Sequence, residues 1–287
     1  MMPPAFRRSL HDIRWNVLGY GVGLGVWAAV IVALFPSIRE SLGDVELPED
    51  YLQFFGIESS DFRLASNYFQ AEFFSTAPVV LVVYAVVVGT GTLAGDESNR
   101  TLELILAQPI SRTRLFAERA TAIVLGGLLI LLLTAVGWTM ALLFIEADDT
   151  VSIPKLAAAT VAQAPLLTFW IALSLLLGAL APSRGLAAGV ATVIAVATFL
   201  ANSLAAIADQ VEWLRYLSPF WYSDAPTILT GGVTPWHTAV LLAITAACFA
   251  AALFAFRSRD LNTGRLPRPA LAFSRTARQT RPESAPQ

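Results

Sequence analysis

Six apolar runs, none containing Asp, Glu, Lys or Arg, leave few folds open to this chain. They lie near Trp15–Phe35, Phe73–Ala94, Ala120–Ile145, Leu156–Ala181, Leu186–Ala208 and Trp236–Phe256. Each is long enough for the roughly 20 helical residues that cross the hydrocarbon core of a bilayer. Inside that core a segment must satisfy its own backbone amides and carbonyls, so runs of this kind are helices. Composition agrees, because charged residues make up 14% of the 287 positions, against about 25% in an ordinary soluble domain. The expected fold is all-α and integral to the membrane, with six transmembrane helices. The first run is too long for the apolar core of a secretory signal, and no small-residue cleavage site follows it. Cys248 is the single cysteine and sits inside the last run, which excludes an intrachain disulfide.

Basic residues set the orientation. Of the 19 lysines and arginines, 15 fall in the N-terminal segment, the segments after the second and fourth runs, and the C-terminal tail. Segments of that kind stay cytoplasmic, so both termini and the stretch Gly95–Arg119 are expected on the inner face. Asp44, Glu46, Glu49, Asp50, Glu58 and Asp61 crowd the first segment of the opposite side. A net charge of −2 conceals this asymmetry.

Taken in order, residues 5–14 carry Phe6, Leu10 and Ile13 at helical spacing, with Arg7, Arg8 and Arg14 on other faces. They read either as an interfacial helix on anionic headgroups or as a plain positive-inside anchor. Gly19, Gly21, Gly23 and Gly25 alternate in the first run, and small residues four apart allow close helix packing in lipid. Gly185 and Gly189 invite the same reading. The segment from Pro36 to Glu72 is expected to be a solvated outer cap. Gln163 and Asn202 fall within the fourth and fifth runs, where amides act as helix glue or line a substrate path. Trp213, Tyr216, Phe220, Trp221 and Tyr222 gather between the fifth and sixth runs, as aromatics do at a membrane–water boundary. After Asp260 the tail, 262–287, is rich in Arg and Pro and is expected to be disordered.

The charged island Gly95–Arg119 reads GDESNRTLELILAQPISRTRLFAER. Asp96 and Glu97 favour a helix start, and Leu102, Ile105, Leu106 and Pro109 recur on one helical face. Pro109 interrupts that helix, and Ser111 is placed to cap the next one. The pattern predicts a short amphipathic helix between the second and third spans.

This run resembles the cytoplasmic loop of ABC-2-type permeases, the membrane subunits of a class of ATP-driven exporters. The matching residues are Gly95, Glu97, Thr101, Leu102, Glu103, Leu106, Pro109, Ser111 and Arg112, with Asn99 a departure where many relatives carry Gly. Tyr216-Leu217-Ser218-Pro219-Phe220 and Phe256-Arg257-Ser258-Arg259-Asp260-Leu261 fit the same family, so the resemblance spans residues 1–261. It implies that the island holds a coupling helix docked on a separate ATPase subunit, through Glu97, Thr101, Leu102, Glu103, Leu106, Pro109, Ser111 and Arg112. It further implies two ATPase copies; pairing with itself or a related permease is expected because one six-helix chain would leave its path open to lipid, and 18 arginines against one lysine point to a prokaryotic plasma membrane. A re-entrant outer gate around Tyr216, Pro219, Phe220 and Trp221 is implied as well.

Absences narrow the mechanism. Ion-coupled carriers use an ionisable group within the membrane, and these runs carry no acid, lysine or arginine. No glycine-rich loop ending in Gly-Lys-Ser/Thr appears, so ATP and its magnesium belong on a partner. No nucleic acid, no metal and no nucleophile–base pair is expected. A lipid-modifying membrane enzyme and a non-transporting scaffold or sensor are the competing classes. Asp96, Glu97 and Glu103 are the cytoplasmic candidates for the enzyme reading, and they lack a metal-binding spacing.

Overall fold

Every regular element of this computed structural model is helical, over residues 4–42, 48, 61–98, 111–145, 147, 150–223, 227–230 and 234–258, which are those described. The first helix, α1, runs Pro4–Leu42 without a break. Residues 5–14 are therefore not a separate interfacial helix. No Gly or Pro lies between Phe6 and Leu18 to stop propagation, and Ser9, Ile13 and Val17 are buried. Arg14 lies over the Trp15 ring at 5.4 Å. Pro36 was expected to begin the outer segment. The helix continues six residues beyond it, forgoing one backbone bond to the Val32 carbonyl.

A short helix, α2 (Ala65–Phe69), passes through a π turn (Gln70–Phe74) into α3 (Ala77–Ser98). The expected solvated cap is thus partly core. Tyr68, Phe69, Phe73 and Phe74 are buried and join Phe35 and Trp138 in a cluster with centroids 4.9–6.0 Å apart. Asp44, Glu46, Glu49, Asp50 and Glu58 lie outside the described residues. At the other end, α3 carries Asp96 and Glu97 in its last turn, not at a helix start. The apolar run propagates its helix through Gly95 because no proline intervenes. The amphipathic helix expected over Thr101, Leu102, Glu103, Leu106 and Pro109 lies outside the described residues, as does the tail.

Helix α4 (Arg112–Leu142) begins as expected, with Ser111 Oγ accepting from the Arg114 amide at 3.3 Å. The fourth run divides into α5 (Ile153–Val161) and α6 (Ala164–Leu180). Pro165 explains the break: it has no N–H for the preceding turn and fits only the start of a new helix. Ser183 caps α7 (Arg184–Ile207), its Oγ accepting from Leu186 at 3.3 Å. A 3-10 helix (Asp209–Leu217) and α8 (Thr227–Thr230) precede α9 (Pro235–Ser258). Counting α2–α3 and α5–α6 as one span each, six among the described residues are long and apolar enough to cross a membrane.

Packing divides the bundle. The most extensive pair is α1 against α4, where backbones touch: a Cβ at Gly137 would lie 2.2 Å from the Gly25 oxygen. Gly21 faces Leu133 on the same seam, whereas nothing lies within 4 Å of a Cβ at Gly19 or Gly23. Gly185 and Gly189 are likewise open, so only part of the expected glycine packing occurs within the chain. Helix α6 is central, with 10 of its 17 residues buried between α3, α4, α7 and α9.

Candidate functional site

Two helical faces of matching spacing meet across an open groove. On α3, Val79, Val82, Val83, Val86 and Val87 recur at three and four residues; on α7, Ala188, Thr192, Ala195, Val196, Phe199 and Leu200 do the same. With Phe220 the two helices enclose about 360 Å³. That is within the range of small-molecule sites, about 300–1,000 Å³. Thr192 supplies the one hydroxyl, and it already donates to the Ala188 carbonyl at 2.9 Å. The lining therefore offers dispersion and water exclusion with no charge.

The far end of the groove is closed by rings. Phe220 stands edge-on to Phe199 at 5.6 Å and leans on Trp170 at 5.9 Å. The turn that holds it carries Ser218, whose Oγ accepts from the Phe220 amide at 3.2 Å, and Pro219. The expected gate residues separate here. Tyr216 and Trp221 turn away from the groove and meet each other at 6.2 Å with Arg215 across both rings. The Tyr216 hydroxyl, 2.8 Å away, holds the Arg215 guanidinium above its ordinary pKa, helped by Glu212 against partial desolvation. Trp221 and Tyr222 also flank His237 at 5.7 and 5.6 Å.

Neither expected path amide lines the groove. Asn202 continues the same α7 face one turn beyond Phe199, and its buried Oδ1 finds no hydrogen-bond partner among the described residues. Gln163 sits at the α5–α6 break, 1% exposed, with Oε1 similarly unpartnered. The valines went unnoticed because a wholly apolar lining looks like any other span. Their signal is the β-branched run PVVLVVYAVVV.

The opposite, basic end is tied by charges. Glu118 accepts from the Phe6 amide at 3.2 Å and pairs with Arg114 at 2.8 Å. It thereby serves the orphan amides of α1, whose own first turn has no acid. Arg119, 5% exposed, donates to the Thr92 carbonyl at 2.9 Å, joining α4 to α3. Arg112 donates to the Arg257 carbonyl at 3.2 Å in the last turn of α9. Arg184 reaches the Val87 carbonyl at 3.2 Å from the first turn of α7. Ser111 and Arg112 thus stand where α4 meets α9, while nothing is described of the Glu97 side chain.

A family described as "Multidrug efflux system permease Rv1217c, C-terminal domain" matches residues 7–257. No curated protein matches the chain. The match runs from the first turn of α1 to the last turn of α9 and takes in all six spans. That membership identifies a transporter subunit and not an enzyme, as the missing nucleophile–base pair led us to expect. The chain belongs to this permease family and is a multi-pass membrane permease of the ABC-2 type.

Proposed function

We propose that the chain is the membrane-spanning half of an ATP-driven exporter, moved by separate ATPase subunits that hold the ATP and magnesium. Two permeases, identical or related, assemble with two ATPases on the inner face, where the positive-inside distribution puts both termini. The docking element is the coupling segment Gly95–Arg119, with Glu97, Thr101, Leu102, Glu103, Leu106, Pro109, Ser111 and Arg112 as its contact residues. Support comes from the roots of that segment, which Arg119 ties together at Thr92, so that a push on it moves α3 and α4 as a unit.

The observation that carries the reading is the uncharged groove of about 360 Å³ between α3 and α7. One wall is the helix that leads directly into the docking segment. A site of that chemistry accepts an apolar or amphipathic small molecule, in keeping with the efflux role in the family's description. Phe220 is the outer gate, moved by the turn containing Pro219 and braced by the neighbouring Tyr216–Trp221 pair. Asn202 and Gln163, with their spare carbonyl oxygens, are the polar stations of the path beyond the groove. A Val86→Trp variant, which fills the groove, is expected to abolish efflux of a lipophilic fluorescent dye from cells producing the complex. Membrane levels should stay normal, and full efflux by this variant would remove the groove from the transport path.

A further inference from the structure

Helix α3 is unusual in how many of its carbonyls serve a second donor. Thr90 Oγ1 donates to the Val86 carbonyl at 2.6 Å, and Thr92 Oγ1 donates to that of Val88 at 2.7 Å. Between them the Val87 carbonyl receives Arg184, and five residues further Thr92 receives Arg119. Back-bonding threonines loosen and bend a helix, because the hydroxyl competes with the backbone amide for the same oxygen. Gly89 and Gly91 lie within this stretch.

Arg184 has a seat of its own. A Cβ on Gly91 would lie 3.2 Å from the guanidinium Cζ and Nη2 and 3.3 Å from Nε. The group therefore lies flat on the bare backbone of Gly91, which any side chain would obstruct. Its position is also costly for α7: an arginine in the first turn opposes the helix dipole, and no acid is there to offset it. The local helix does not explain this cation, whereas the contact across to α3 does.

Position decides what that contact does. Val87 is the last α3 residue lining the groove, and Arg184 stands one turn before Ala188, the first on α7. We infer that Arg184 is a positioning residue for transport: seated on Gly91 and bonded to the Val87 carbonyl, it latches the basic end of the α3–α7 groove. With the latch made, the groove is shut at that end and closed by Phe220 at the other. Release lets α3 bend at Gly91, beyond the point where Gly89 packs on Ser174 of α6, and opens the basic end. This inference rests on the groove being the cargo path, and the experiment separates the two.

The full chain with Cys248→Ser and a reporter Val86→Cys is placed in lipid nanodiscs, and its reaction with a charged maleimide is timed. Arg184→Met should speed labelling about tenfold, the population shift that loss of a charge-assisted hydrogen bond produces. Arg184→Lys, a point charge without the planar fork, should fall between parent and Met. Gly91→Ala keeps the charge and only displaces the flexible tip, and should give about a threefold increase. Should Arg184→Met fail to fold, Gly91→Ala decides alone. Labelling at the parent rate in variants that melt like the parent overturns the latch. Faster labelling with altered dye efflux supports both latch and path. Faster labelling with unaltered efflux upholds the latch and removes the groove as the route of cargo.

Discussion

Gly137 and Gly25 show how much one hydrogen atom in place of a methyl can decide. Gly137 stands where the Gly25 backbone passes and Gly25 against the Leu133 carbonyl, and a backbone cannot swing aside as a side chain can. Gly137→Ala should force α1 and α4 apart and cost about 1–3 kcal/mol, seen as a lower melting temperature in detergent. Gly19→Ala, with nothing within 4 Å of the new carbon, should melt like the parent. The alternation of four glycines was legible as packing, yet spacing alone makes Gly19–Gly23 and Gly21–Gly25 equivalent. Only the partner distinguishes them, and Leu133 and Gly137 come from a run more than a hundred residues away. The same limit applies to Phe220, grouped by sequence with Tyr216 and Trp221 but packed on Phe199 and Trp170 instead.

Among whole elements, the ends of helices are where sequence and structure part. Ser111 announced the start of α4 correctly, because a hydroxyl beside a helical run has one local use. Asp96 and Glu97 misled, since their charge favours a start while the apolar run behind them simply carries its helix onward. The N-terminal turn of α1 reads from sequence either as an interfacial helix or as a plain positive-inside anchor, and its first amides find Glu118 on α4. Glu118→Ala should leave the Phe6 amide and the Arg114 guanidinium without that carboxylate. Backbone amides of residues 5–8 should then exchange hydrogen about tenfold faster, given the 0.5–2 kcal/mol typical of a lost cap. Amides near Gly25, held by α4 packing, should be unaffected; equal acceleration along α1 would contradict the capping role.

For the molecule as a whole, the count of spans was readable, because bilayer thickness and backbone satisfaction leave no other use for six such runs, and the family was readable from the resemblance carried by Gly95–Arg119. The cargo groove was not readable. It exists only where α3 and α7 come together with Phe220, and no residue in it departs from ordinary membrane-helix composition. Coupling is testable at this scale. In a purified complex, Glu103→Lys with Leu106→Ala should preserve basal ATP hydrolysis and remove its stimulation by cargo. Undiminished stimulation would mean that the ATPase grips some other part of the permease.

Helix α1 comprises 39 residues, about 58 Å at 1.5 Å per residue, nearly twice the roughly 30 Å thickness of the oily layer. It is therefore a single stiff rod with one tip anchored at Glu118 and the other projecting past Arg39. Because α4 packs along that rod, at Gly126 against Ile13 and Val17 and at Gly137 against Gly25, the two helices shift together. Motion at the inner face thus reaches the outer face along one helix, up to the missing backbone bond at Pro36.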